Sequence, residues 1–140
     1  MRLFFALCLI SSLTSIAVLA EPADETESSL PADVVSGQVL NGSWVRPDGG
    51  YILMVRKVLE NGTLQASYLN PRSIRVASAR WRIGGSSLQI RVDLNDTGYE
   101  GAYYLLRYNP VSGRLEGEYH PANQGVFEVA FERQLGPVAR

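Results

Sequence analysis

His120 is the chain's single histidine, set between Tyr119 and Pro121. An imidazole acting as a general base needs an oriented partner, and Glu118 is the nearest carboxylate on its strand face. A metal site needs three or four donor side chains, but the chain offers no second histidine and only one cysteine, Cys8. Asp93, Asn95, Thr97 and Gly98 match the first half of a calcium loop. The bidentate acid that closes such a loop would fall at Tyr104, so a polar turn is the better account. Arg72, Arg75, Arg80, Arg82 and Arg91 lie in residues 61–92, which contain no acid. In an extended chain Arg80 and Arg82 share one face, and Arg75 shares the other with Trp81. Guanidinium groups beside an indole suit an anionic ligand or a lipopolysaccharide-like surface. The competing account is cross-strand pairing with the seven acids of residues 93–132. No phosphate loop, nucleophile elbow or rigid carboxylate pair is present, so neither an enzyme, a metal nor a cofactor is expected.

The elements that carry these residues are strands. Turn clusters stand at RPDGG (46–50), ENG (60–62), NPRS (70–73), GGSS (84–87), NDTG (95–98), NPVSG (109–113) and PANQG (121–125). These seven turns bound eight short apolar runs, the spacing of an all-β meander. Within the runs the alternation is that of half-buried strands. Leu88, Ile90 and Val92 oppose Gln89, Arg91 and Asp93, and Phe127, Val129 and Phe131 oppose Glu128, Ala130 and Glu132. GTLQASY (62–68) and GRLEGEY (113–119) repeat one pattern fifty-one residues apart, which puts Tyr68 and Tyr119 inward on the third and seventh runs. Equal strand lengths around a closed barrel produce such an echo, as an internal duplication also would. Eight antiparallel strands hide their edges by closing into an up-and-down barrel. The expected inward set is Leu40, Trp44, Leu64, Tyr68, Leu88, Ile90, Val92, Leu115, Tyr119, Phe127, Val129 and Phe131. Side chains of that size leave little lumen, so a site should be a shallow mouth near Tyr68 or Trp81. The second and sixth runs are apolar on both faces, with Ile52, Met54, Tyr103 and Leu105 directed outward. Such faces suit a partner or a second copy of the chain.

The chain opens with Arg2, an apolar run and small residues at Val18 and Ala20, which predicts a signal peptide over residues 1–20. Residues 21–36 are rich in Pro, Ser and acids and read as a flexible acidic linker. The barrel domain is then residues 37–135, with a tail over 136–140. Cleavage after Ala20 removes Cys8 and leaves no stable membrane span. A cysteine-free exported chain, from a sequence with twelve arginines against one lysine, fits a bacterial periplasmic or secreted protein. The sequons at Asn41, Asn61 and Asn95 then read as turn formers. A net charge of -1 leaves no footprint for nucleic acid.

Gly42-Ser43-Trp44 near the start of the meander, with Arg133 after the last run, resembles the calycin superfamily. In those barrels a Gly-x-Trp packs across one end and an arginine lies against the indole, so the resemblance implies a closure role for Trp44 and Arg133. GSW, Gly49-Gly50, an apolar strand and NGTLQASY follow the order seen in avidins. There the tyrosine at the Tyr68 position touches the ligand's polar head. Arg46 and Gly50 replace the asparagine and serine of the avidin loop, and Trp81 is the one counterpart to the pocket tryptophans. Biotin is therefore not the expected ligand. The chain is also similar to calycin-type periplasmic protease inhibitors, whose N-terminal segment enters the protease cleft, although their disulfide is missing here. RPDGGY and ASYLNP further resemble stretches of an exported bacterial protein family.

The expectation is an exported, non-enzymatic β-barrel that binds a small molecule or an envelope component through Tyr68, Trp81, Arg46 and Tyr119. The alternative is a barrel that binds an envelope protein or forms a homo-oligomer, as an inhibitor or through the outward faces of the second and sixth runs.

Overall fold

The computed structural model describes residues 30–136. The expected signal peptide, and residues 21–29 of the expected linker, lie outside that range, as do residues 137–140 of the tail. The described chain is all β apart from one helical turn, α1 (Ala32–Val35), and a 3-10 turn (Gln38–Leu40). Its strands are β1 (Gly42–Val45), β2 (Ile52–Val58), β3 (Leu64–Asn70), β4 (Arg72–Ile74), β5 (Val76–Gly84), β6 (Ser87–Leu94), β7 (Tyr103–Asn109), β8 (Arg114–His120) and β9 (Phe127–Arg133). They form one sheet in the order β4-β3-β2-β1-β9-β8-β7-β6-β5. Every described pairing is antiparallel, including that of β1 with β9.

Nine strands stand where the turn pattern predicts eight, because the fourth run divides at Arg75. The Arg75 amide donates to the Asp96 carboxylate at 2.9 Å, and its carbonyl accepts the Asn95 amide at 3.0 Å. Its backbone is thus bonded to the turn after β6 and not to β3. Before the break β4 pairs with β3; after it β5 pairs with β6. The sheet meets itself again at a single bridge, Thr63 with Arg80, supported by the Trp81 amide donating to Gly62 at 2.8 Å. The result is a nearly closed barrel.

Alternation places Leu53, Val55, Leu64, Leu88, Ile90, Val92, Leu106, Leu115 and Phe131 inside, all buried. Trp44, Tyr68, Tyr104 and Phe131 are fully buried and fill the interior, as the narrow bore of a small barrel requires. Gly117 lies where β8 approaches β7 closely: a Cβ there would come within 2.0 Å of the Leu105 carbonyl. This explains why the small residue of the echoed pattern is Gly117 here where the third run has Ala66. Tyr68 on β3 and Tyr119 on β8 are four strands apart in the sheet order.

Two expectations change. Phe127, placed in the inward set, is 48% exposed, because β9 begins with it at the rim where the inward direction opens to solvent. Residues 32–35, placed in the linker, form α1, whose Val34 is 3% exposed and packs in the core. The Val34 and Val35 amides both donate to the Pro31 carbonyl, so the packed chain starts before residue 37. Ile52 and Met54 on β2 and Tyr103 and Leu105 on β7 do face outward, but β2 and β7 are also four strands apart. One flat partner cannot cover both.

Candidate functional site

Arg46 follows β1 and continues its inward alternation from Trp44. The Pro47–Gly50 turn then returns Asp48 beneath the guanidinium. Asp48 accepts from Arg46 Nε at 2.9 Å and from the terminal nitrogen at 2.5 Å, a bidentate pair that two-residue spacing makes cheap in loop entropy. The other terminal nitrogen donates to the Tyr104 hydroxyl at 3.1 Å, and the guanidinium lies 4.4 Å from the Tyr51 ring centroid. Arg46 is 9% exposed. Burial alone would lower its pKa, but the hydrogen bonds to Asp48 and Tyr104 outweigh burial and hold it above the ordinary value. The bond to Arg46 in turn holds the Asp48 carboxyl below its usual range.

Tyr104 belongs to the inward face of β7 and reaches Tyr68, with the hydroxyl oxygens 2.7 Å apart. The Tyr104 hydroxyl thus bridges the Arg46 cation and the Tyr68 hydroxyl, and either phenol can be the donor of the bond between them. Tyr119 lies against Tyr104 at 4.7 Å between centroids, Tyr99 meets Tyr68 edge-on at 6.4 Å, and Asn70 donates to the Tyr99 hydroxyl. Together these side chains, with Tyr51, Phe127 and Glu128 on the rim, line a cavity of about 280 Å³ at one mouth of the barrel.

The structure thus brings Arg46, Tyr68 and Tyr119 together. Trp81 does not join them. Its indole donates to the Leu59 carbonyl at 2.9 Å and packs against Gly37 and Val58 at the opposite end of the barrel. It borders a separate outer depression of about 460 Å³ with Arg80, Arg82 and Arg91. Trp44 and Arg133 sit apart from the mouth as well. The Arg133 guanidinium lies 4.3 Å from the indole centroid and donates to the Asn41 and Val39 carbonyls, while the indole donates to Leu40 at 2.9 Å. Gly42 has φ +123 and a Cβ there would meet Arg133 at 3.0 Å, which gives the glycine of Gly-x-Trp a physical reason.

Comparison with known proteins finds no match: no protein-family model, no curated protein and no solved structure resembles the chain closely enough to be counted. Its chemistry has to be read from its own residues.

Reading the sequence alone misses Tyr104, the centre of the mouth. The signal was present, because an outward Tyr103 obliges the next residue to face inward. Asp48, two residues after Arg46, was also within reach. Asn70 ends β3 and Tyr99 lies in the turn before β7, 29 residues apart, and no local pattern joins them. The calcium-like stretch is used internally: Asp93 holds Arg91 and Ser78, and Asp96 caps the amides of Arg75 and Thr97. His120 stacks on Tyr103 at 4.5 Å on the outer face and contacts Glu118 at 2.8 Å. Among the described residues no group of three or more His, Cys, Asp or Glu comes together.

The mouth makes a prediction about alkali. Burial raises the phenol pKa of Tyr68 and Tyr104, and burial beside Tyr104 pushes Tyr119 up to about 12. A raised phenol favours the folded state while the unfolded phenol begins to ionise near pH 10, so stability is complete below about pH 10 and falls as pH rises toward 12. Tyrosinate absorbance should therefore lag for Tyr68, Tyr104 and Tyr119. A later, cooperative step should coincide with loss of the β-sheet circular dichroism signal. Seven phenols ionising in one unperturbed step, with the sheet intact, would contradict the buried network.

Proposed function

We propose that this protein is an exported, non-enzymatic, calycin-type barrel that binds a small ligand, or a small exposed group of an envelope component, at the tyrosine mouth. The observation that carries the reading is the hydrogen-bonded chain from Arg46 through Tyr104 to Tyr68, all three of whose side chains line one open cavity. A buried cation and a pair of phenols converging on one cavity suit an oxygen-bearing polar group on a ligand. The volume lies just under the usual span of small-molecule sites, so the ligand, or the inserted part of it, is small.

A binding role accounts for the mouth better than catalysis. General acid–base work at neutral pH needs a group poised near the working pH. Here the phenols are raised, the arginine is locked in its charged form and Asp48 is held ionised. The Trp44–Arg133 stack beside Gly42 supports the calycin-type reading. Export to a bacterial periplasm or medium rests on the apolar residues 3–20 and the small residues before Glu21.

The test is a titration of the isotope-labelled chain with a library of small polar fragments, followed by nuclear magnetic resonance. The proposal expects shifts concentrated at Arg46, Tyr68, Tyr104, Tyr119 and Phe127. Binding that leaves these residues unmoved and shifts the outer strands would overturn it, as would the absence of any binding at millimolar fragment.

A further inference from the structure

We propose that the outer face of β6–β8 is a self-complementary interface through which two copies of this chain pair about a two-fold axis at Leu105. The inference rests on the outer surface and is independent of the mouth. Strand register places five outward residues in one row across five strands: Arg80, Arg91, Leu105, Glu118 and Glu128. The row reads cation, cation, apolar, anion, anion. Its charge reverses sign about Leu105.

Within one chain this order is unfavourable at both ends. Arg80 stands directly across from Arg91, and Glu118 directly across from Glu128. Like charges at facing positions destabilise a sheet. The arginine run is therefore not paired off across its own sheet: Arg82 faces Gln89, and among the described residues Arg80, Arg82 and Arg107 have no carboxylate within 4.0 Å. Arg91 does hold Asp93 at 2.7 Å, but its side chain remains 46% exposed and a guanidinium has five donors. Glu118 is half exposed, and only one of its oxygens meets His120.

A second copy laid face to face, with the two-fold axis lying in the contact plane through Leu105 and parallel to β7, places Arg91 of each chain opposite Glu118 of the other. Arg80 and Glu128, one strand further out on either side, continue the same order of charge around the barrel beyond the contact. Leu105, 39% exposed, meets its own counterpart at the axis. Such an isologous contact is what two-fold symmetry demands of a dimer surface. A depression of about 710 Å³ beside Leu105, walled by Arg82, Gln89, Arg107, Glu116 and Glu118, gives the partner's long side chains room. An extended anionic partner fits less well, because it would meet the glutamates of β8 and β9 as soon as it left the arginines.

Sedimentation equilibrium of the purified chain is the test. The wild type should reach twice the monomer mass in about 0.02 M salt and shift toward monomer in about 0.5 M salt, where surface charges are screened. Arg91→Glu alone and Glu118→Arg alone should each weaken the dimer at least about tenfold. An equimolar mixture of the two should restore it, since every reversed charge then meets its opposite. Leu105→Glu should abolish pairing in every mixture. If a single variant melts early, the doubly reversed R91E/E118R chain carries the test, because its homodimer recovers both contacts. A wild type that is monomeric at both salts would overturn the proposal. A mixture that stays monomeric would do so too, and so would a monomer held by anionic vesicles through Arg80 and Arg91.

Discussion

Trp44→Ala should destabilise the barrel by about 3–5 kcal/mol, the usual cost of emptying a large aromatic site in a core. For a domain of about one hundred residues this lowers the melting temperature by about 15 °C or more. Trp44 is 0% exposed, and its indole holds three things at once: the Leu40 carbonyl, the Arg133 guanidinium and the edge of Tyr108 at 6.3 Å. Removing it also frees the strand pair that joins the two ends of the chain, since Trp44 is opposite Arg133 in the β1–β9 register. Arg133→Ala should cost less, because Arg133 is only partly buried and its two backbone carbonyl partners can be hydrated. The double variant should lose less than the sum, because one stack is lost twice. Thermal melts of the three variants check this. A loss below about 1 kcal/mol for Trp44→Ala would mean that the indole is not the plug of that barrel end.

Tyr104→Phe should cost about 2–3 kcal/mol although it deletes a single oxygen. The phenol is 1% exposed and joins Arg46 to Tyr68. Phenylalanine keeps the packing against Tyr119 and Phe131 but leaves one nitrogen of a buried cation and one buried hydroxyl without their partner. Unpaired buried groups, and charged ones above all, suffer the full desolvation penalty. Arg46→Met should cost less than Tyr104→Phe. Its ion-pair partner Asp48 has a side chain 57% exposed and can hydrate, and Tyr104 keeps Tyr68. In the double variant the stranded cation is gone, so the two losses should not add. Urea unfolding of all four chains gives the cycle. Additive losses would show that the relay is not one network, and the mouth would lose the feature that carries its function.

The parts of this molecule that follow from local pattern could be read before any coordinates. Strict alternation in SLQIRVDL fixes which side of β6 is inside, and Gly, Asn and Pro clusters mark the breaks between runs other than the one at Arg75. What escaped depends on partners distant in sequence. The break at Arg75 is made by Asn95 and Asp96, some twenty residues on, and nothing in SIRVASARW announces it. Val34 looks like a stray apolar residue among acids until α1 folds it onto the barrel. Trp81 and Tyr68 both read as candidates for one shallow mouth, yet Trp81 is held at Leu59 and Gly62, away from the mouth that Tyr68 lines. The mouth was half legible: Arg46, Tyr68 and Tyr119 carried enough signal to be named, whereas Tyr104 required following the alternation through a run apolar on both faces. The charge row through Leu105 depends on the register of five strands, which sequence separation alone does not set.

The central claim is that the tyrosine mouth is occupied by a small ligand. Native mass spectrometry of the chain isolated gently from its host's export fraction tests this directly. The account predicts a population carrying an added small mass that fits the cavity of about 280 Å³, released on denaturation and reduced in the Tyr104→Phe chain. A wild-type chain of bare mass would contradict it, and so would an added mass retained undiminished by Tyr104→Phe.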